Sequence, residues 1–329
     1  MSSDLPPPPT LDDVRRAADA IAPYLSLPTP LVYSPALSER LDAHVSLKLE
    51  FATPIGVFKV RGGINLAINL SPEHRKAGLV TASTGNHAQS IAYGAKLQGV
   101  PATLFVPEGA NPDKIASIER LGGEVRVHGE RFDDARRAAE EYAAEVGSRA
   151  VHSGNEPDLV AGVGTAALEV LETQQPDTEI VIVPVGGGSG VAGWLTVRGG
   201  LSHDAAVWGA QSAQAPAVYE SWRAQQVLER PNTTTAEGLA TAEAFALPLE
   251  VMIASLDDFV LVDDRNIEAA VVELLGTQHI LAEPAGAAPL AAAHSAAERV
   301  RGKRIVLVVS GANVTVDQLR AILDGRSGS

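Results

Sequence analysis

The chain has 329 residues, enough for one large or two ordinary domains around a sizeable core. Its net charge of −14 is spread along the sequence without a basic tract, which argues against a nucleic-acid surface, and no apolar run is long enough to span a membrane. There is no cysteine, so disulfides, cysteine nucleophiles and thiolate-ligated metals are excluded, and with no signal peptide at the start the cytoplasm is the expected compartment.

The chain opens MSSDLPPPPT, whose four prolines predict an extended, mobile arm. VSLKLE (45–50) then alternates with period two and predicts a strand. LVTA (79–82), ATLFV (102–106), EVRVH (124–128) and EIVIVPV (179–185) read likewise, followed by AVWGA (206–210), FVLV (259–262) and RIVLVVS (304–310). Helical stretches separate them. In NPDKIASIERLGG, Asn111 caps, Pro112 suits the first turn and Gly122 closes the helix, whereas DLVAGVGTAALEVLETQ (158–174) predicts one longer buried helix. Strands alternating with helices imply right-handed crossovers and mostly parallel sheets. The strand count predicts two parallel-sheet α/β domains with the active site in the cleft between them. Residues 1–52 and 155–329 are expected to form the larger domain and 53–154 the smaller.

In such folds ligands bind where strands end and helices begin, and three strand ends carry polar or glycine-rich turns. After IVIVPV comes GGGSG, Gly186, Gly187, Gly188, Ser189 and Gly190, whose backbone N–H groups and following helix suit a phosphate. Gly188, Gly190 and Gly193 also satisfy a dinucleotide G-x-G-x-x-G. The acid that should close the next strand to bind ribose is Gln211, however, so a lone phosphate monoester is the better reading. After LVTA comes Ser83-Thr84-Gly85-Asn86-His87, a turn with two hydroxyls, an amide and free N–H groups, which makes a carboxylate cradle. Capping alone needs one such residue. Ser310, closing the strand RIVLVVS, serves equally well as a cap or as a ligand contact.

The remaining mark is GVFKVRGG (56–63), one lysine among three glycines. A surface lysine needs no such room; the glycines are expected to let a flat ring lie against the chain beside Lys59. An amine, a phosphate cradle, a carboxylate cradle and a hydroxyl together fit a phosphate-bearing aldehyde cofactor, held by a Schiff base and acting on an amino acid.

The sequence resembles the fold-type II pyridoxal-phosphate enzymes (tryptophan synthase β-like), and within them the serine/threonine dehydratase-like group. The marks are Phe58-Lys59-Val60-Arg61-Gly62, Ser83-Thr84-Gly85-Asn86-His87, Gly186 to Gly190, and Ser310-Gly311-Ala312-Asn313, in order over nearly the whole chain. The resemblance implies pyridoxal 5'-phosphate bound as a Schiff base to Lys59, which then acts as the base at Cα. It implies Phe58 beside the ring, Asn86 on the 3-oxygen, residues 83 to 87 on the substrate carboxylate, Gly186 to Gly190 on the phosphate and Ser310 at the pyridine nitrogen. The implied activity is a dehydratase (ammonia-lyase) converting an L-threonine- or L-serine-like β-hydroxy amino acid to a 2-oxo acid and ammonia. The alternatives are a serine-type racemase, a dehydratase for a less common or hydroxyectoine-derived substrate, and a cofactor-free binding protein, against which intact Lys59 argues. A homodimer or higher homo-oligomer is the expected assembly.

Departures from the family pattern fall at Thr53, Ile55, Val57, Gly154 and Val163, around the expected substrate pocket. Thr84 stands where serine racemases carry a second acid/base serine. Several relatives also hold a divalent cation with a glutamate and an aspartate after the strand that follows the phosphate loop; here those positions are Gln211 and Ala217, so no metal is expected.

Overall fold

A computed structural model describes residues 5–325. Ten strands form two sheets. The larger sheet contains β1 (Leu31–Tyr33), β2 (His44–Leu49), β7 (Ile180–Pro184), β8 (Ala206–Ser212), β9 (Asp258–Val262) and β10 (Arg304–Val309), in the spatial order β1-β2-β10-β7-β8-β9. The smaller contains β3 (Leu79–Ala82), β4 (Ala102–Val106), β5 (Glu124–Val127) and β6 (Arg149–Ala150), in the order β5-β4-β3-β6. Every pairing is parallel except that of β1 with β2.

The eight strands predicted from alternation are all present within two residues at either end. The two that alternation missed are β1 and β6, three and two residues long, too short to show a period. Asn111 caps its helix by accepting from the Asp113 N–H, as its position before Pro112 predicts.

Two expectations need correction. The helix predicted over 158–174 is α-helical only over Pro157–Leu168, and Glu169–Gln174 winds with the wider π spacing. The proline arm is not mobile along its whole length: Pro9 is buried, and Thr10 caps the helix Leu11–Ile21 in a reciprocal capping box with Asp13. Residues 1–4 of that arm lie outside the described residues.

β10 sits between β2 and β7, and its apolar run Ile305–Val309 is buried on both faces, as a central parallel strand requires. This order brings the carboxyl ends of β2, β10 and β7 side by side. The chain after β2 leads to Lys59, that after β10 is Ser310, and that after β7 is the glycine loop. Residues far apart in sequence therefore meet at one edge.

Beneath that edge lies a buried charge cluster. Arg61 donates to Glu50 through Nε at 2.7 Å and to Glu169 through Nη1 at 2.7 Å, while the Lys48 amine reaches Glu169 at 2.5 Å. Arg61, Lys48 and Glu50 have no exposed side-chain surface. Two cations and two anions balance, and the remaining guanidinium donors are shared among Glu50, Glu169 and the hydroxyls of Thr29 and Thr165. Arg61 rides on the helix Lys59–Ile68, so the cluster clamps that helix, and with it the lysine at its first position.

Candidate active site

The segment before Lys59 is zipped to the segment after β10. The Phe58 N–H donates to the Ser310 carbonyl at 2.9 Å, Ala312 N–H donates to the Gly56 carbonyl at 3.0 Å, and Val57 bridges Gly311. Lys59 thus starts its helix two residues beyond a short antiparallel splice, with Ser310 beside it.

The Lys59 amine makes no hydrogen bond or ion pair among the described residues and lies 5.2 Å from the Phe58 ring centroid. Burial pushes it down to about 8, opposed in part by the Glu283 carboxylate. A buried amine poised near neutrality exchanges a proton readily.

Two of the glycines around Lys59 are required by helix packing. A Cβ on Gly63 would stand 2.2 Å from the Ser90 carbonyl oxygen, and one on Gly62 2.8 Å from that of Leu159. Both glycines let the helix Lys59–Ile68 lie close against its neighbours, Asn86–Leu97 and Pro157–Leu168. Gly62 also lines the cavity that contains Lys59.

The turn after β3 leads into the helix Asn86–Leu97, whose cap position is Gly85. Neither Ser83 nor Thr84 caps it; the Ser83 hydroxyl accepts from the Gly85 N–H at 3.2 Å. The first-turn N–H groups of a helix have no acceptor within it and remain for an anion. Asn86 turns across the cleft, where its Nδ2 donates to both oxygens of Glu283 and its Oδ1 accepts from Asn313 Nδ2 at 2.8 Å. The His87 side chain points inward instead. The Thr81 hydroxyl donates to the Val151 carbonyl at 2.7 Å, so its oxygen, 3.1 Å from His87 Nε2, is left to accept. Nε2 therefore carries the hydrogen. Burial, with the nearby Lys59 and His152 charges, holds this ring down to about 3, so it stays neutral. His87 nonetheless lines a narrow cavity with Lys59, Ser90, Ser153, Val163 and Ser189.

The glycine loop leads from β7 into the helix Ser189–Leu201. Its backbone is closely backed: a Cβ on Gly186 would stand 2.4 Å from the Gly238 carbonyl oxygen, and one on Gly190 3.2 Å from the Phe58 ring. The loop that suits a phosphate therefore touches the residue before Lys59. The Ser310 side chain is buried and makes no hydrogen bond among the described residues.

Glu283 is the site residue that sequence reasoning missed. It is 6% exposed and flanks Asn86 and Gly311, and burial pushes its carboxyl up to about 7, against the lowering effect of hydrogen bonds from Asn86 and Asn313. Its signal was a lone acid inside the apolar stretch ILAEPAGAAPLAAA.

This combination of an unpaired amine, a glycine loop at a helix start and a polar turn between two parallel sheets defines a pyridoxal-phosphate enzyme. A family model described as "Pyridoxal-phosphate dependent enzyme" matches residues 24–311, and the chain belongs to that family. It is similar to the L-threonine ammonia-lyase of Thermotoga maritima, 36% identical over 318 residues that cover 96% of this chain and 78% of that one. In structure it is similar to processed threonine deaminase isoform 2 of Solanum lycopersicum (TM-score 0.88, 26% identity, 100% of this chain and 98% of that one). It is likewise similar to maize serine racemase (TM-score 0.89, 29% identity, 96% and 97% covered). The cofactor of the family is pyridoxal 5'-phosphate, and the residues here fit it: a free buried amine, a backbone cradle that side chains would fill, and an uncommitted buried hydroxyl. Among the described residues no helix is long and apolar enough to cross a membrane.

Proposed function

We propose that the protein is a pyridoxal-phosphate-dependent dehydratase, removing the β-hydroxyl of a threonine- or serine-like amino acid as water and releasing a 2-oxo acid and ammonia. The observation that carries this reading is the Lys59 amine, unpaired and pushed down to about 8, between the Ser310 strand end and the turn that starts at Ser83.

Gly186, Gly187, Gly188, Ser189 and Gly190 would hold the phosphate, with Phe58 beside the ring, Asn86 at the 3-oxygen and Ser310 at the ring nitrogen. When bound, the cofactor supplies a sink for the electron pair left at Cα. The chain does the rest. Residues 83 to 87 bind the substrate carboxylate through backbone N–H groups and hydroxyls, which fixes the Cα–H bond relative to Lys59. Lys59 takes that proton. Ser310 offers a neutral hydroxyl to the ring nitrogen and cannot keep it protonated as a carboxylate would, which favours prompt loss of the β-substituent. Neutral His87 adds no cation beside Lys59, so no like charge at that ring opposes the amine when it takes up the proton.

One observation favours a second activity. The Thr84 hydroxyl makes no hydrogen bond among the described residues; a hydroxyl free at the face of Cα opposite Lys59 would return a proton there, which is racemisation. A panel of β-hydroxy amino acids, scored for both 2-oxo acid release and inversion at Cα, tests the two readings. Release from L-threonine or L-serine is the expected result; inversion without release would make the protein a racemase.

The reading takes residues 53–154, which contain the whole four-stranded sheet, as a smaller domain closing on a larger one of 1–52 and 155–329. It also places the protein in the cytoplasm as a homo-oligomer, which light scattering of the purified chain would test.

A further inference from the structure

The glycine loop has a neighbour that no motif includes. The Phe245 ring stands so close to Gly187 that a Cβ there would be 2.0 Å from Cε2. On its other flank a Cβ on Gly154 would be 2.3 Å from Cδ2 of the same ring. Gly154 has no left-handed φ, so contact with the ring, not backbone shape, is what requires glycine there.

The turn that carries Gly154 is built around His152, whose Nδ1 accepts from the N–H groups of both Gly154 and Asn155 at 3.0 Å. The His152 ring meets Phe245 edge-on, with centroids 4.6 Å apart at 85°. Asn155 Oδ1 accepts from the Leu247 N–H at 3.1 Å and so supplies the cap that Phe245 cannot give its own helix, Ala246–Ser255. That helix in turn backs Gly188, where a Cβ would stand 2.9 Å from Pro248. One ring therefore joins the turn at the end of the smaller sheet to the loop of the larger sheet.

We propose that Phe245 is a positioning residue for the glycine loop: a wedge that docks the turn His152–Asn155 against Gly187 and so sets the seat for a phosphate monoester. The proposal rests on the reading of Gly186–Gly190 as the phosphate site. It also accounts for Gly154, because the ring fills the space that a side chain at 154 would need.

The test titrates the apo-enzyme with pyridoxal phosphate and, separately, with pyridoxal, which lacks the phosphate, reading the visible absorbance of the bound cofactor. Phe245→Ala should raise the Kd for pyridoxal phosphate by about tenfold and change that for pyridoxal much less, since only the phosphate meets the loop. Gly154→Ala should act in the same direction, because its methyl group enters the space of the ring. In a Phe245→Ala background it should add little. Phe245→Leu keeps apolar volume and should recover part of the affinity; with Gly154→Ala it carries the test should Phe245→Ala fail to fold. Equal effects on both ligands, no effect on either, or additive effects of the two substitutions would overturn the wedge. Wild-type protein that takes up no pyridoxal phosphate would instead overturn the cofactor reading itself.

Discussion

Asn86 Nδ2 donates to both carboxylate oxygens of Glu283, at 2.9 and 3.1 Å, while Asn86 Oδ1 accepts from Asn313. The amide is held from both ends, and only one orientation satisfies it. Its nitrogen faces the carboxylate, so the orientation of the Asn86 amide is set by residues about two hundred positions away in the chain.

Glu283→Gln should therefore impair the site while relieving the fold. A glutamine has one acceptor oxygen where two are used, and its own N–H groups oppose those of Asn86. With Asn86 no longer held in one orientation, cofactor affinity should fall roughly tenfold, about 1.4 kcal/mol. Stability moves the other way with pH. The Glu283 carboxyl is raised from 4.5 to about 7, so the folded state binds more protons than the unfolded state between those values, and wild-type stability falls as pH rises through them. The melting temperature of the apo variant relative to wild type should rise from pH 5 to pH 8. A constant difference would show that Glu283 is not held protonated.

Lys59→Ala should abolish turnover and the visible absorbance of bound cofactor. Because the amine is lowered from 10.5 to about 8, the wild-type apo-protein at pH 7 holds a charge where burial disfavours it, and that penalty fades only as pH rises from about 8 to 10.5. The apo variant should melt no lower than wild type at pH 7. Turnover near the wild-type rate would overturn the assignment of Lys59.

For Arg61 the expected loss is structural. Arg61→Ala leaves Glu50 buried without its cation, and removing one partner of such a pair costs about 3–5 kcal/mol. Arg61→Lys keeps the charge but loses the fork that serves Glu50 and Glu169 together, so it should fall between. Denaturant unfolding of both variants measures this.

Gly187→Asp should weaken pyridoxal phosphate binding at least tenfold, about 1.4 kcal/mol, by charge repulsion with the phosphate and by collision with Phe245. An unchanged Kd by titration would put the phosphate elsewhere.

Activity and melting temperature should be indifferent to chelator and to added magnesium or calcium. Gln211 Oε1 is occupied by the Tyr219 N–H at 3.0 Å, which leaves the buried Nε2, a donor, facing away from it. A hard cation needs anionic oxygens, and a donor repels it. Glu237, an acid near enough in sequence to substitute, is bound to Lys114 and Gln318. A chelator-induced drop of several degrees, restored by either ion, would reveal a site.

The strands and the three strand-end turns were legible because each is local: a short run of mostly apolar residues marks the strand, and a polar or glycine-rich turn follows directly. Lys59 was legible for the same reason. What could not be read depends on partners distant in sequence. Glu283 acquires meaning only opposite Asn86 and Asn313. Lys48, which reads as an ordinary strand lysine, is a fully buried member of the Arg61 cluster. Gly62 and Gly63 serve two helices that the sequence does not show to be neighbours, and Gly154 is explained only by Phe245. The change to π spacing at Glu169 left no mark in the apolar pattern, yet the carboxylate of that residue serves both Lys48 and Arg61.

The central place of β10 has a consequence for synthesis. Its residues, Arg304–Val309, are made after all nine other strands, yet it lies between β2 and β7. Until it arrives, each of those strands presents an unpaired edge to the sheet's interior, and the splice that holds Phe58 against Ser310 has no second half. The growing chain therefore carries an open seam through the middle of its larger sheet until β10 closes it. A nascent chain halted before β10 exposes two strand edges open to pairing with other chains, and it lacks the strand end that carries Ser310.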